Sequence, residues 1–247
     1  MVEIDRFALS RLAQVQAEIL AHYEVYEFHP VVAKLQIYCS EDLGSFYLDV
    51  LKDRLYTTAP KSLARRSAQT ALWQITQAMV RWMAPFLSFT AEEAWREMAK
   101  TGKVPAAHAE SIFFETYLHL DAPAEALLDK WNRIRQVRDV VNKEIEALRA
   151  DGKIGSSLQA AVALELPPEA RNDVDSLGAD LKFAFIVSSL EVANGPALKV
   201  SVKPSNDTKC DRCWHYVPGV GQHAEHPTIC GRCISNLHGN GETREFV

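Results

Sequence analysis

Two cysteine pairs near the end of the chain constrain its fold more than any other feature. Two residues separate Cys210 from Cys213, two separate Cys230 from Cys233, and sixteen lie between the pairs. Two residues between cysteines let one tight turn aim both sulfurs at a single ion. Two such turns supply the tetrahedral all-sulfur shell that Zn2+ prefers. Four thiolates leave no open coordination position, so Cys210, Cys213, Cys230 and Cys233 read as ligands of one structural zinc. A redox pair, or reduced structural thiols, fits two matched pairs less well. His215, His223 and His226 lie in the intervening loop, but four sulfurs already complete a shell. The fifth cysteine, Cys39, falls on an apolar stripe and reads as a buried structural thiol.

Upstream, the hydrophobic pattern is helical. Ile4, Phe7, Ala8, Leu12, Val15, Ile19, Tyr23 and Tyr26 recur at three- and four-residue steps, which predicts a helix over 4–26. Pro30 suits the first turn of a second helix, with the stripe Val32, Leu35, Cys39, Leu43, Phe46 and Val50. A third stripe runs through Ala68, Leu72, Ile75, Met79 and Trp82. Thr90 with Glu93 has the form of a capping box opening a helix that carries Trp95. Short connections imply an antiparallel bundle. Residues 101–122 are weakly patterned and read as a connector. A long helix is predicted from about Ala124 to Ala150. The alternation of Leu158, Ala160, Val162, Leu164 and Leu166 then predicts a strand. A short helix around Glu169–Leu181 and strands near Ser188–Val192 and Leu198–Val202 complete a small α/β unit. The expected organisation is mainly α: a helical bundle over 1–122, the long helix and α/β unit over 123–203, and a zinc module over 204–247.

Net charge is −5, which argues against a general nucleic-acid binder. Its distribution is uneven: Lys52, Arg54, Lys61, Arg65, Arg66 and Arg81 face one acid, Asp53, between residues 52 and 82. A basic patch on an acidic protein fits an anionic partner met at a defined place. For the charge alone, a solvated helix face is the preferred reading. Inside the first cysteine knuckle stands Arg212, and Trp214 follows it. A guanidinium beside an indole suits an unstacked base, and an indole can equally roof the small core around a metal. No apolar run approaches the length of a membrane span, and the N-terminus lacks the basic and apolar regions of a signal peptide. The cytoplasm is therefore the expected compartment, with no membrane partner.

The strings Cys210-Asp-Arg-Cys-Trp-His-Tyr216 and Glu225-His-Pro-Thr-Ile-Cys-Gly-Arg-Cys233 resemble the C-terminal zinc module of bacterial isoleucyl-tRNA synthetases. Ser45-Phe-Tyr-Leu-Asp-Val-Leu-Lys-Asp-Arg-Leu-Tyr56, Arg65-Arg-Ser-Ala-Gln-Thr-Ala-Leu-Trp73 and Arg81-Trp-Met-Ala-Pro-Phe-Leu-Ser-Phe-Thr-Ala-Glu-Glu-Ala-Trp95 are similar to the anticodon-binding bundle of the same class I enzymes. The resemblance implies isoleucine tRNA as partner, met at its anticodon stem-loop. It makes Lys52, Arg54, Arg65, Arg66 and Arg81 candidate phosphate contacts and places Arg212 and Trp214 at the anticodon. Tyr56 and Trp73 are stacking candidates or core. The family's nucleotide-binding signatures, H-I-G-H and K-M-S-K-S, have no counterpart here. ATP would then be used only by the full-length enzyme, and this chain is expected to supply recognition without chemistry, as a monomeric C-terminal fragment. Base-excision DNA glycosylases carry a similar zinc module, but they need a proline after the initiator methionine, where this chain has Val2. A stand-alone zinc adaptor for a protein partner is the other alternative.

Overall fold

A computed structural model describes all 247 residues. It is mainly α-helical, with two small sheets. Helix α1 (Glu3–Glu24) and α2 (Phe28–Ile37) lead into a π-helix at Tyr38–Tyr47, then α3 (Leu48–Thr57), α4 (Leu63–Met83) and α5 (Ser88–Lys100). After two 3-10 turns comes α6 (Glu125–Ala150). The remainder holds β1 (Ala160–Leu166), α7 (Pro168–Asp175), α8 (Leu181–Ala184), β2 (Ser189–Asn194), β3 (Lys199–Pro204), β4 (Thr208–Lys209), β5 (Tyr216–Val217) and α9 (Gly231–His238). None of the helices is long and apolar enough to cross a membrane. The chain forms two units interleaved in sequence. One contains Met1–Asp5, Tyr47–Ala68 and Glu125–Val247, the other Arg6–Phe46 and Gln69–Ala124.

In the second of these units, buried Leu12, Ile19, Val31, Leu35, Tyr38 and Trp82 supply core residues from α1, α2, the π-helix and α4. The Trp82 indole N–H donates to Gln16 at 3.0 Å, and the Tyr23 hydroxyl donates to the Trp82 carbonyl at 2.6 Å. The buried indole and the half-buried hydroxyl are thus satisfied. A second cluster gathers Val80, Ala84, Ala91, Trp95 and Met98 with Val104 and Ile112 from the connector, with Trp73 packed against it. Trp73 is thus a half-buried residue at the edge of this core.

Two local expectations are corrected here. Cys39 is exposed, and Tyr38 is buried in its place. Tyr38 continues the buried α2 stripe of Val31 and Leu35 at seven and three residues, and π winding begins there. Gly44 permits that winding, since a Cβ there would lie 3.0 Å from the Cys39 carbonyl oxygen. Thr90 caps nothing. Helix α5 starts at Ser88, two residues earlier, behind Leu87, whose carbonyl already accepts from the Ala91 N–H at 2.8 Å.

In the other unit α6 presents Leu128, Trp131, Ile134, Val137, Val141 and Ile145 as one buried stripe, as its period demands. It packs on β3 and α7. Strand β1 is central, parallel to β2 and antiparallel to β3. Its alternation buries Ala160, Val162, Leu164 and Leu166. The single helix expected over 169–181 is two short ones, because Gly178 turns the chain at φ +51.

Candidate metal centre and nucleic-acid interface

The zinc module lies wholly within the unit that contains α3. Strands β4 and β5 form a short antiparallel ladder whose turn carries Cys210 and Cys213. Cys230 precedes the first turn of α9, and Cys233 lies inside that turn. All four thiols are buried, and their sulfurs lie within 4.8 Å of one another. The Cys210–Cys233 and Cys213–Cys230 sulfur pairs are each 3.8 Å apart. A tetrahedral Zn–S shell with bonds of about 2.3 Å has an edge of about 3.8 Å, so the spacing fits zinc. The Cys230 N–H donates to the Cys210 sulfur at 3.3 Å, which orients that ligand. Hydrogen bonds from Cys213 and Cys233 hold the Cys230 thiol down to about 3, while bonds to Cys213 and Cys230 push Cys233 up. Packed sulfurs share protons in this way because they cannot all ionise without a cation among them. The four cysteines are positioned to bind one metal ion.

Trp214 follows the first knuckle in the left-handed region, at φ +65, with its N–H on the Cys210 carbonyl at 2.9 Å. For a bulky aromatic this backbone is costly. Its indole is 60% exposed, and Lys209 Nζ lies 5.6 Å from the ring centroid. The small core around the sulfurs is closed by Val217, Val220 and Ile229, so Trp214 is not its roof.

Arg212 turns away from solvent. Its Nη1 donates to the Thr57 carbonyl at 2.7 Å and its Nη2 to the Tyr56 carbonyl at 3.3 Å. A cation on the last carbonyls of α3 also complements the negative end of the helix dipole. The side chain of Tyr56, on that same turn, is 75% exposed. Arg212 therefore joins the knuckle, which carries the exposed Trp214, to the end of α3, which carries the exposed Tyr56.

A second junction was not legible in the sequence. Asp53 receives Arg232 on both oxygens, at 2.7 and 2.8 Å, and Arg244 at 2.8 Å, with His215 Nδ1 4.0 Å away. Burial raises the Asp53 carboxyl, but the hydrogen bond and charge of Arg232, then the charges of Arg244 and His215, outweigh it and hold the group well below the usual carboxylate range. The Arg244 guanidinium also covers the Phe183 ring at 3.2 Å. Asp180 accepts the backbone N–H groups of Glu245, Phe246 and Val247. The available signals were slight: an arginine in the second knuckle matching the one in the first, and one acid amid the basic run.

The basic candidates divide by exposure. Lys52 and Arg66 are exposed, Lys52 beside Asp49 at 2.8 Å. Arg65 is half-buried, with its Nε enclosed. Arg54 and Arg81 are corrections to the expected phosphate contacts. Arg54 is 2% exposed and pairs with the buried Asp5, which also accepts from Tyr47 and Ser67. Arg81, in the other unit, is buried against Glu115 at 2.6 Å, the Thr116 carbonyl at 2.9 Å and the Trp95 ring. Both guanidiniums are buried and paired with an internal carboxylate.

Comparison with known proteins agrees with this geometry. Residues 5–164 match the family model described as the anticodon-binding domain of tRNA ligase. Residues 208–236 match the zinc finger found in FPG and IleRS. The whole chain aligns at 55% identity with 26% of the isoleucine–tRNA ligase of Cupriavidus necator. It aligns over 98% of its length at 56% identity with 25% of that of Ralstonia pickettii and 26% of isoleucine–tRNA ligase 1 of Burkholderia mallei. The chain thus spans about a quarter of the length of these curated relatives.

Proposed function

The chain belongs to the family of anticodon-binding domains of tRNA ligases, and from that premise we propose that it reads the anticodon stem-loop of isoleucine tRNA as part of an isoleucine–tRNA ligase. The setting is the cytoplasm, and the acting species is a monomer. ATP-dependent joining of isoleucine to tRNA belongs to the longer protein. This chain supplies recognition.

The observation that carries the proposal is Trp214. A large indole held out to solvent at a costly backbone angle, on a knuckle fixed by metal and tied to α3, is poorly explained by packing. Single-stranded RNA presents unstacked bases, and an aromatic face of this kind binds them. Tyr56 stands at the other end of the Arg212 bridge and offers a second ring. Lys52 and Arg66 supply charge toward phosphates, without sequence preference.

Zinc has a structural part in this scheme. It fixes the two knuckles, and the knuckles aim Trp214 and Arg212. The test is equilibrium binding of the zinc-loaded chain to an isoleucine tRNA transcript and to the same transcript with an altered anticodon. The proposal expects the alteration to weaken binding by about tenfold or more, roughly 1.4 kcal/mol. Equal affinity for the two transcripts would refute anticodon reading by this chain.

A further inference from the structure

Beside the sulfurs lies a cavity of about 370 Å3, whose lining includes Lys182, Phe183, Cys213, His215, Cys230 and Arg232. No carboxylate lines it. Four thiolates around Zn2+ carry two negative charges in excess, enclosed among buried side chains. Such a charge is costly unless cations stand near it.

The available cations are not equivalent. Arg232 is bound to Asp53 and to Glu242, at 2.7 and 3.2 Å. Arg244 is bound to Asp53 and Glu242. Arg212 hydrogen-bonds the Cys233 sulfur and also donates to the carbonyls of Thr57 and Tyr56, so its charge serves the Cys233 side of the centre. Lys182, on α8, forms no salt bridge. Its Nζ lies 5.1 Å from the Phe183 ring centroid, and it lines the cavity with Cys213 and Cys230. Burial and then the charges of Arg232 and Arg244 disfavour its ammonium, while Asp53 and the Cys213 sulfur favour it. A partly buried lysine among arginines is an unfavourable placement unless an anionic centre faces it.

We propose that Lys182 is a counter-charge of the zinc–thiolate centre on its Cys213–Cys230 side: its ammonium, in no salt bridge with a carboxylate, faces these two sulfurs across the cavity and helps retain the metal. It is a positioning residue for charge and ligates nothing. The inference rests on zinc occupying the four-sulfur site.

The experiment uses the zinc-loaded 247-residue chain and its Lys182→Met, Lys182→Gln and Lys182→Arg variants, each checked for metal content and helix content. Zinc transfer to a chromogenic chelator gives the rate of loss. In cobalt-loaded samples, the thiolate-to-cobalt charge-transfer band reports the field at the sulfurs. Lys182→Met and Lys182→Gln should lose zinc about tenfold faster, the lower end of the range for outer-shell partners of metal sites. The charge-transfer band should move to lower energy in both, because the sulfur electrons lose a nearby cation. Lys182→Arg should restore the native rate and band. Equal rates in all four proteins, or an arginine variant as leaky as the methionine one, would overturn the assignment. The glutamine and arginine pair decides the matter even if the methionine variant folds poorly. A native chain that takes up no zinc would overturn the premise as well.

Discussion

Removing the Asp53 carboxylate should loosen the C-terminal segment from α3 by an amount the structure allows to be worked out. Asp53→Ala deletes both bonds to Arg232 and the one to Arg244, leaving two largely enclosed guanidiniums. Breaking a buried pair from one side costs about 3–5 kcal/mol. Both arginines keep Glu242, at 3.2 and 3.1 Å, so the lower figure applies. A loss of about 3 kcal/mol is roughly a 150-fold change in the local opening constant. Native-state hydrogen exchange reads this at the Ile4 amide, bonded to the Phe246 carbonyl, and the Gly241 amide, bonded to the Ser235 carbonyl. Both should exchange faster by that factor, with amides of α5 unchanged. Because the folded carboxyl is held below its ordinary value, its contribution is complete above the unfolded pKa of about 3.9, drains progressively as pH falls below that value, and is gone once pH has fallen through the lower folded value. The variant's deficit should therefore be constant between pH 5 and 8. An increase in exchange below about threefold, with zinc retained, would mean that the junction is not held by Asp53.

Three further outcomes are expected. Chelation should unfold the knuckles and release Arg212 from α3 while leaving the helices of the other unit intact, since structural zinc contributes about 10–16 kcal/mol of apparent binding energy in small modules; circular dichroism and amide spectra before and after chelation check it. Arg66→Ala should weaken binding to all tRNAs alike and lower the log–log salt slope by about 0.7–0.9 for each phosphate left unneutralised, whereas Arg54→Ala should destabilise the fold by leaving Asp5 without its buried cation; salt titrations and thermal melts separate the two. Tyr38→Phe should be neutral or stabilising in thermal melts, because the enclosed Tyr38 hydroxyl has no hydrogen-bond partner to give up.

The legible parts of this chain are those set by local geometry. The cysteine spacing announces a metal site because two residues per knuckle is a condition on one turn. The stripe of α6 and the alternation of β1 follow from the periods of helix and strand. Long-range electrostatics were opaque: Asp53 meets Arg232 from 179 residues away. Charge alone also gives no sign of burial. Arg54 and Arg66 are alike in sequence, yet one sits against Asp5 and the other faces solvent. Cys39 was misplaced because the buried stripe of α2 runs through Val31, Leu35 and Tyr38, one residue ahead of a reading begun at Val32. Trp214 reads equally as a roof or a platform in sequence, and only its exposure in the fold argues against the roof.

The central claim, that Trp214 senses the anticodon, is tested most directly by a two-by-two binding cycle. Native chain and Trp214→Ala are each titrated with isoleucine tRNA and with the same tRNA carrying a changed anticodon, at one salt concentration and with equal zinc content. If the indole stacks on an anticodon base, its removal should cost about 1–3 kcal/mol on the cognate tRNA. On the altered tRNA, where that stacking is already absent, the cost should largely vanish. An additive cycle, with the same cost on both tRNAs, would contradict the account and move anticodon reading away from the zinc knuckle.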